Sequence, residues 1–188
     1  YIEYNKVKAV ELPAEFQPLY SASRTSVVAN QVRKYLYDRG LTDNDFIKYG
    51  IGYATNGLFG GRIIFPSYTG SGQLNFFVAR SFDGNYYKYK NPEASKDIIF
   101  FENLINWNQP IILCEGVFDA MAIRRNAIPI LGSLCHNHTN SFELNLKETA
   151  IPNVTIAGIR NLGLYLEFFF IFITSSEALT SKSSIFIS

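Results

Sequence analysis

The hydrophobic and polar positions divide the chain into a helical opening, a stranded middle and an alternating α/β stretch. Between residues 26 and 39, Val28, Val32, Tyr35 and Leu36 recur at helical spacing, and Gly40 supplies a stop. Thr42 and Asp45 are spaced as in a capping box and predict a short second helix ending near Gly50. From 51 to 90 the apolar and aromatic residues come in short runs broken by turn residues: IGYAT, GRIIFPSY, QLNFFVARSF after the TGSG turn, and YYKYK. These predict strands, and a helix is predicted around 97–107. Pro13 and Pro18 make residues 1–22 an extended lead-in.

The segment 110–132, PIILCEGVFDAMAIRRNAIPILG, carries the densest information. An apolar strand, Ile111-Ile112-Leu113-Cys114, ends on Glu115-Gly116. A helix-like run comes next with Asp119 in its first turn, then a second apolar strand over 127–131 closed by Gly132. This is a β-α-β unit with a carboxylate at the carboxyl end of its first strand, where open α/β sheets place their sites. Gly116 lacks a Cβ, so a ligand or backbone can approach Glu115 closely. After Ser133 the character changes: 134–140 is polar, 141–147 fits a helix and 154–157 an apolar strand. The stretch 168–188 is mostly Phe, Ile, Ser and Thr without clear periodicity, and reads as low-complexity sequence.

At 188 residues the chain is one domain or two small ones. A net charge of +1 excludes a uniformly basic protein, so any nucleic-acid contact must be a local patch. The two cysteines, Cys114 and Cys135, build no disulfide framework and point to a reducing compartment. Cys135, His136 and His138 invite a zinc reading, but a structural site wants two pairs of ligands and no second pair exists. No signal peptide precedes the first element. The longest apolar run, LYLEFFFIFI over 164–173, has ten residues and contains Glu167, whereas a membrane helix needs about 20. No membrane partner is expected. The chain opens on Tyr1 rather than Met, so an upstream portion is expected.

E-G-x-x-D between two such strands resembles the first motif of the Toprim fold, shared by bacterial and phage primases and topoisomerases. Three fixed residues recur by chance; the flanking sequence adds specificity. YLYDRGL (35–41), IGYA (51–54), GRIIFP (61–66), Arg80 and KYKNPEA (88–94) come in the order seen in DnaG-like primase cores. The resemblance covers residues 31–133. It implies an α/β fold in which a primase-core subdomain, 31–108, small and mixed, packs against a partial Toprim (Rossmann-like) sheet, 109–157. A lead-in over 1–30 precedes them, and an aberrant or disordered tail over 158–188 comes after.

The resemblance further implies a phage-type DNA primase: a nucleotidyltransferase making short RNA primers on single-stranded DNA during replication. Mg²⁺ (or Mn²⁺), nucleoside triphosphates and a replicative helicase are implied as cofactor, substrates and partner. Zinc is implied only for a zinc-ribbon lying upstream of this chain. The expected location is the cytoplasm, the host's if the protein is phage-encoded. Glu115 is implied as the metal ligand or a base beside the metal, and Asp119, about one helical turn later, as its catalytic companion. Arg39, Arg62, Arg80 and Lys88, with Lys90 and Lys96, are implied to line a groove for template and incoming nucleotide.

From the residues alone, strand alternation places Lys88 and Lys90 on one face and Tyr87 and Tyr89 on the other. Phe76 and Phe77 either stack bases or pack in the core. Arg124 and Arg125 are explained by the helix dipole at whose carboxyl end they lie.

The pattern breaks at the second acidic motif. Toprim sites carry D-x-D at the end of the next strand, but Asn153–Ala157 is succeeded here by Gly158-Ile159-Arg160-Asn161, with no carboxylate. Arg160 brings a positive charge to where a metal would sit. Two accounts stand open: a primase fragment whose carboxyl-terminal part is aberrant, or a degenerate Toprim module that binds single-stranded DNA without catalysis. Another Toprim enzyme, a topoisomerase or nuclease, is a further alternative. A topoisomerase would need a tyrosine nucleophile from another domain.

Overall fold

In the computed structural model the described residues are 9–84, 87–96, 98–124, 126–131, 153–162 and 165–174, the last two stretches as strand backbone. The elements are β1 (Gln17–Pro18), α1 (Val27–Tyr37), α2 (Asp43–Lys48), β2 (Gly52–Ala54), β3 (Arg62–Tyr68), β4 (Leu74–Ser81), β5 (Ile111–Cys114), α3 (Val117–Ile123), β6 (Ala127–Pro129), β7 (Asn153–Leu162) and β8 (Tyr165–Thr174). Single 3-10 turns occupy Leu19–Ser21 and Glu102–Leu104. One sheet is antiparallel in the order β1-β2-β3-β4, and the other runs β6-β5-β7-β8. In the second, β5 is parallel to both β6 and β7, and β8 is antiparallel to β7. The fold is α/β, a mixed antiparallel unit succeeded by a partial parallel sheet.

Local chemistry sets the helix ends as the sequence implies. The Ser26 hydroxyl accepts from the Ala29 N–H at 3.3 Å and opens α1, and Gly40, at φ +76°, turns the chain away after it. Asp45 accepts from both the N–H (2.7 Å) and the hydroxyl (2.8 Å) of Thr42 at the start of α2. Strands β3 and β4 read as unbroken apolar runs because both their faces are covered. Ile63, Phe65, Phe76 and Val78 enter the main core, while Ile64, Phe77 and Ala79 join a smaller cluster with Val10, Leu12 and Phe16. Strand β2 pairs with β3 no further than Ile64, so Pro66 lies where β3 is an edge strand and a missing N–H is tolerated.

One core joins the two units. Cys114, Val117, Ala120, Met121 and Ala127 pack in the same cluster as Val32 and Leu36 of α1 and Phe65 of β3. Helix α3 is therefore the seam: its apolar stripe is buried against the antiparallel unit, and its first turn opens beside the end of β5. Ile111, Leu113 and Ile128 pack in another cluster with Ile99, Ile105 and Trp107.

Four expectations change. No helix forms over the described part of 97–107, which holds only the Glu102–Leu104 turn. Phe101 takes a left-handed conformation (φ 62°), which interrupts any helix, and its N–H is bonded to the buried Ser67 hydroxyl at 2.9 Å. YYKYK is reduced to an isolated bridge, Arg80 to Tyr89. The Asn91 side chain takes the Ala79 N–H at 3.4 Å and Pro92 has no donor, so the ladder cannot extend. The lead-in is part of the core: Leu19 is fully buried, and α1 begins at Val27, inside it.

The tail also contains regular structure. β7 runs on to Leu162, and the apolar run after it forms β8, consistent with the extended preference of Phe and Ile. Cys135, His136, His138, the helix expected at 141–147, Tyr86, Asp97 and Arg125 lie outside the described residues. Among the described residues no helix is long and apolar enough to cross a membrane.

Candidate nucleic-acid interface and acidic site

Strand β5 has β6 on one side and β7 on the other, and the chain reaches β6 through α3 before returning for β7. The carboxyl end of β5 is thus the point where strand order reverses, the crevice position of open α/β sheets. Glu115 stands immediately past it and is exposed. Asp119, half-buried in the first turn of α3, accepts from the Gly116 N–H at 3.0 Å. A Cβ at residue 116 would lie 3.3 Å from that carboxylate oxygen, so the glycine leaves the contact unstrained. Burial raises the Asp119 pKa above its ordinary value, the Glu115 charge raises it further, and the Gly116 hydrogen bond partly opposes both. The two carboxylates therefore share one electrostatic site. Behind them Cys114 is buried, and burial, then Asp119, pushes its thiol pKa up, so it stays neutral.

A Mg²⁺ ion can be held by one or two carboxylates with waters and substrate phosphates completing its shell. Glu115 and Asp119 fit that donor set for a single ion. Among the described residues no group of three or more His, Cys, Asp or Glu gathers. The register Ile111↔Val154 and Leu113↔Ile156 brings Gly158 level with Glu115, and β7 continues through Ile159 and Arg160 without an acid. Glu167 of β8 is the register partner of Arg160.

Two of the cationic residues, Arg39 and Arg80, lie near the ring of Phe118 on α3. Arg80, at the end of β4, donates from Nε to the Tyr35 hydroxyl at 2.9 Å and from Nη1 to the Tyr89 hydroxyl. Its guanidinium lies 4.7 Å from the Tyr89 ring centre and 5.7 Å from that of Phe118, the residue before Asp119. Arg39 lies 3.6 Å over the Tyr35 ring and 5.5 Å from Phe118. Neither arginine has a carboxylate partner among the described residues. Burial opposes the Arg80 charge, the two tyrosines favour it, and its pKa is shifted upward on balance. Tyr89 continues the band into an open cleft of about 460 Å³ that is also lined by Leu58, Gly60, Arg62, Tyr87 and Lys90.

Tyr35 thus joins Arg39 to Arg80, and Tyr89 links Arg80 to the cleft that buried Arg62 and exposed Lys90 line. Lys88 is exposed beside them, and its carbonyl accepts from the buried Arg62 at 3.4 Å. Lys96 is exposed, and no hydrogen bond or ion pair among the described residues joins it to the band. Phe76 and Phe77 are buried, so of the two readings of these rings core packing holds. Arg124 does more than complement a helix end: it bonds the Gly40 carbonyl at 2.6 Å and pairs with Asp45. Helical spacing marks Tyr35 as core, and Phe118 carries no chemistry of its own, so neither reads as a site residue from the sequence. Their signal was position, Tyr35 inside YLYDRGL and Phe118 inside E-G-x-x-D.

A mixed antiparallel unit joined through α3 to a Toprim-type sheet is the architecture of a primase catalytic core. The chain has the DnaG-like primase core fold, as the solved structures similar to it demonstrate. The DnaG primase catalytic domain bound to single-stranded DNA is 22% identical with a TM-score of 0.58, over 70% of this chain and 56% of that one. The E. coli primase catalytic core is 19% identical (TM-score 0.56; 73% and 68% of the two chains). The primase fragment of the bacteriophage T7 primase-helicase protein is 15% identical (TM-score 0.52; 67% and 54%). No family model and no curated protein matches the chain. The chain spans little more than half the length of the first of these structures.

Proposed function

We propose that this chain is the central part of a DnaG-like DNA primase, of phage type, that makes RNA primers on single-stranded DNA. The observation that carries the reading is the unneutralised Arg39–Arg80 pair beside Phe118, one residue from Asp119 on the helix that comes after Glu115. Phosphates of a template and of nucleoside triphosphates suit such cations, and exposed Tyr87 and Tyr89 offer faces on which bases can stack. A Mg²⁺ or Mn²⁺ held at Glu115 and Asp119 would stabilise charge on the phosphoryl oxygens. The carboxylates anchor the substrate end of the site, and the arginines hold the strand in register with it. Partnership with a replicative helicase and a cytoplasmic setting belong to the same family reading.

A second reading has its own observation. By the β5–β7 register Gly158 is level with Glu115, and the run Gly158-Ile159-Arg160 has no acid, which supports a degenerate Toprim module that binds single-stranded DNA without catalysis. Primer synthesis and template affinity measured on Glu115→Gln decide between them. Loss of primer synthesis with affinity kept supports the catalyst. Absence of synthesis by the unsubstituted chain, with tight template binding, supports the binder, and absence of binding overturns both.

A further inference from the structure

The Arg80 guanidinium is held by two phenol hydroxyls and no acid, an arrangement with a chemical consequence. A carboxylate would fix an arginine and also cancel its charge. A neutral hydroxyl fixes the plane while leaving the full positive charge available. Tyr35 takes the Nε–H at 2.9 Å and Tyr89 takes one hydrogen of Nη1. Nη2 has no partner among the described residues, so that part of the guanidinium is left for an anion. Tyr35 also carries Arg39 against its ring at 3.6 Å, and its carbonyl accepts from Arg39 Nη1 at 3.1 Å. One side chain on α1 therefore orients arginines from two other places in the chain, the end of β4 and the turn after α1. It does so at the seam, since Tyr35 packs at 6.4 Å from Phe118 of α3.

We infer that Tyr35 is a positioning residue: its hydroxyl locks Arg80, and its ring supports Arg39, so that both present uncancelled charge to the phosphates of a bound strand. This inference rests on the nucleic-acid reading of the band. An arginine side chain loses much rotamer entropy when ordered, and a guanidinium ordered before binding spares the complex that loss. The ring and the hydroxyl have separable jobs. Tyr35→Phe keeps the surface under Arg39 and removes only the bond to Arg80, whereas Tyr35→Leu removes both.

The test is a double-substitution cycle on the full chain. Binding of a fluorescent oligothymidylate is read by anisotropy across a salt series, with urea midpoints confirming that each variant folds. Tyr35→Phe is expected to weaken binding about fivefold and to lower the slope of log affinity against log salt toward that of Arg80→Ala. In an Arg80→Ala background, Tyr35→Phe is expected to have no further effect. A merely structural role would weaken binding equally in both backgrounds and leave the salt slope alone, which would overturn the inference. So would an unchanged affinity for Tyr35→Phe beside a weakened Arg80→Ala. If Arg80→Ala itself binds like the unsubstituted chain, the nucleic-acid reading of the band fails with it, and that single variant distinguishes the two failures.

Discussion

The Arg124 guanidinium donates to the Gly40 carbonyl at 2.6 Å, joining residues 84 positions apart in the chain. Gly40 ends the turn after α1, and Arg124 ends α3, so the bond ties the helix behind Glu115 to the corner that carries Arg39. The same guanidinium reaches Asp45 at 3.3 Å, the carboxylate that caps α2. Arg124 holds this position in a left-handed conformation, φ 53°, unfavourable for any residue with a Cβ.

Two substitutions separate contact from conformation. Arg124→Ala loses the bonds and keeps the unfavourable φ, so it should destabilise by about 1–2 kcal/mol, the lower end applying because the arginine is half exposed. Arg124→Gly loses the same bonds and relieves the backbone, so it should be about 1 kcal/mol more stable than the alanine variant. Urea midpoints at constant slope measure both. Equal midpoints would show that the backbone conformation stores nothing.

That seam marks the limit of what the sequence makes legible. Ser26, Gly40, Thr42 and Asp45 act within a few residues of themselves, so α1 and α2 can be read from local chemistry. Glu115, Gly116 and Asp119 sit in a β-α-β pattern whose geometry is set by strand and helix period. The failures are tertiary. Phe101 takes a left-handed turn because Ser67, 34 residues earlier, holds its N–H, and no periodicity in 97–107 encodes that. YYKYK has strand composition, but Asn91 and Pro92 cut its ladder to one bridge. The Arg124 bond to Gly40 is invisible to local rules, which assign a cation at the end of a helix to the dipole of that helix alone.

Asp119 should make the protein less stable at neutral pH than it would be without the charge. Its folded-state pKa is raised, first by burial and then by Glu115, so the protonated form is favoured by folding. That contribution is fully present below the ordinary carboxylate value of 3.8 and is lost as pH rises through the folded-state pKa. Asp119→Asn keeps an oxygen for the Gly116 N–H and removes the charge. Its urea midpoint should exceed that of the unsubstituted chain at pH 7, and the gain should vanish near pH 3. A variant less stable at pH 7 would mean that the hydrogen bond outweighs desolvation.

Cys114 should be chemically silent in the folded protein. Its thiol is buried, with its pKa pushed up by that burial and by Asp119, and its weak donor faces the Gly116 and Ile128 carbonyls. In a Cys135→Ser background, alkylation at pH 8 should be slower by a factor of about 100 or more than in concentrated urea, because reaction waits for opening of the core. Rapid native labelling would show that the end of β5 opens readily, contradicting its place in the core.

Arg62 poses the sharpest conflict between stability and binding. It is 5% exposed, yet its hydrogen bond to the Lys88 carbonyl is a long one, 3.4 Å, and no acid pairs with it among the described residues. A buried cation so poorly compensated is costly to the fold. It lines the cleft with Tyr87, Tyr89 and Lys90, and on the proposed nucleic-acid reading an arriving phosphate would supply the missing partner. Arg62→Met preserves the apolar stem and should raise stability by about 1 kcal/mol. The same variant should bind single-stranded DNA more weakly, with the salt slope reduced by about one unit. Opposite signs on the two measurements are the signature of a residue kept for its ligand. If stability falls with binding unchanged, Arg62 is a structural residue, and the binding surface ends at Tyr89.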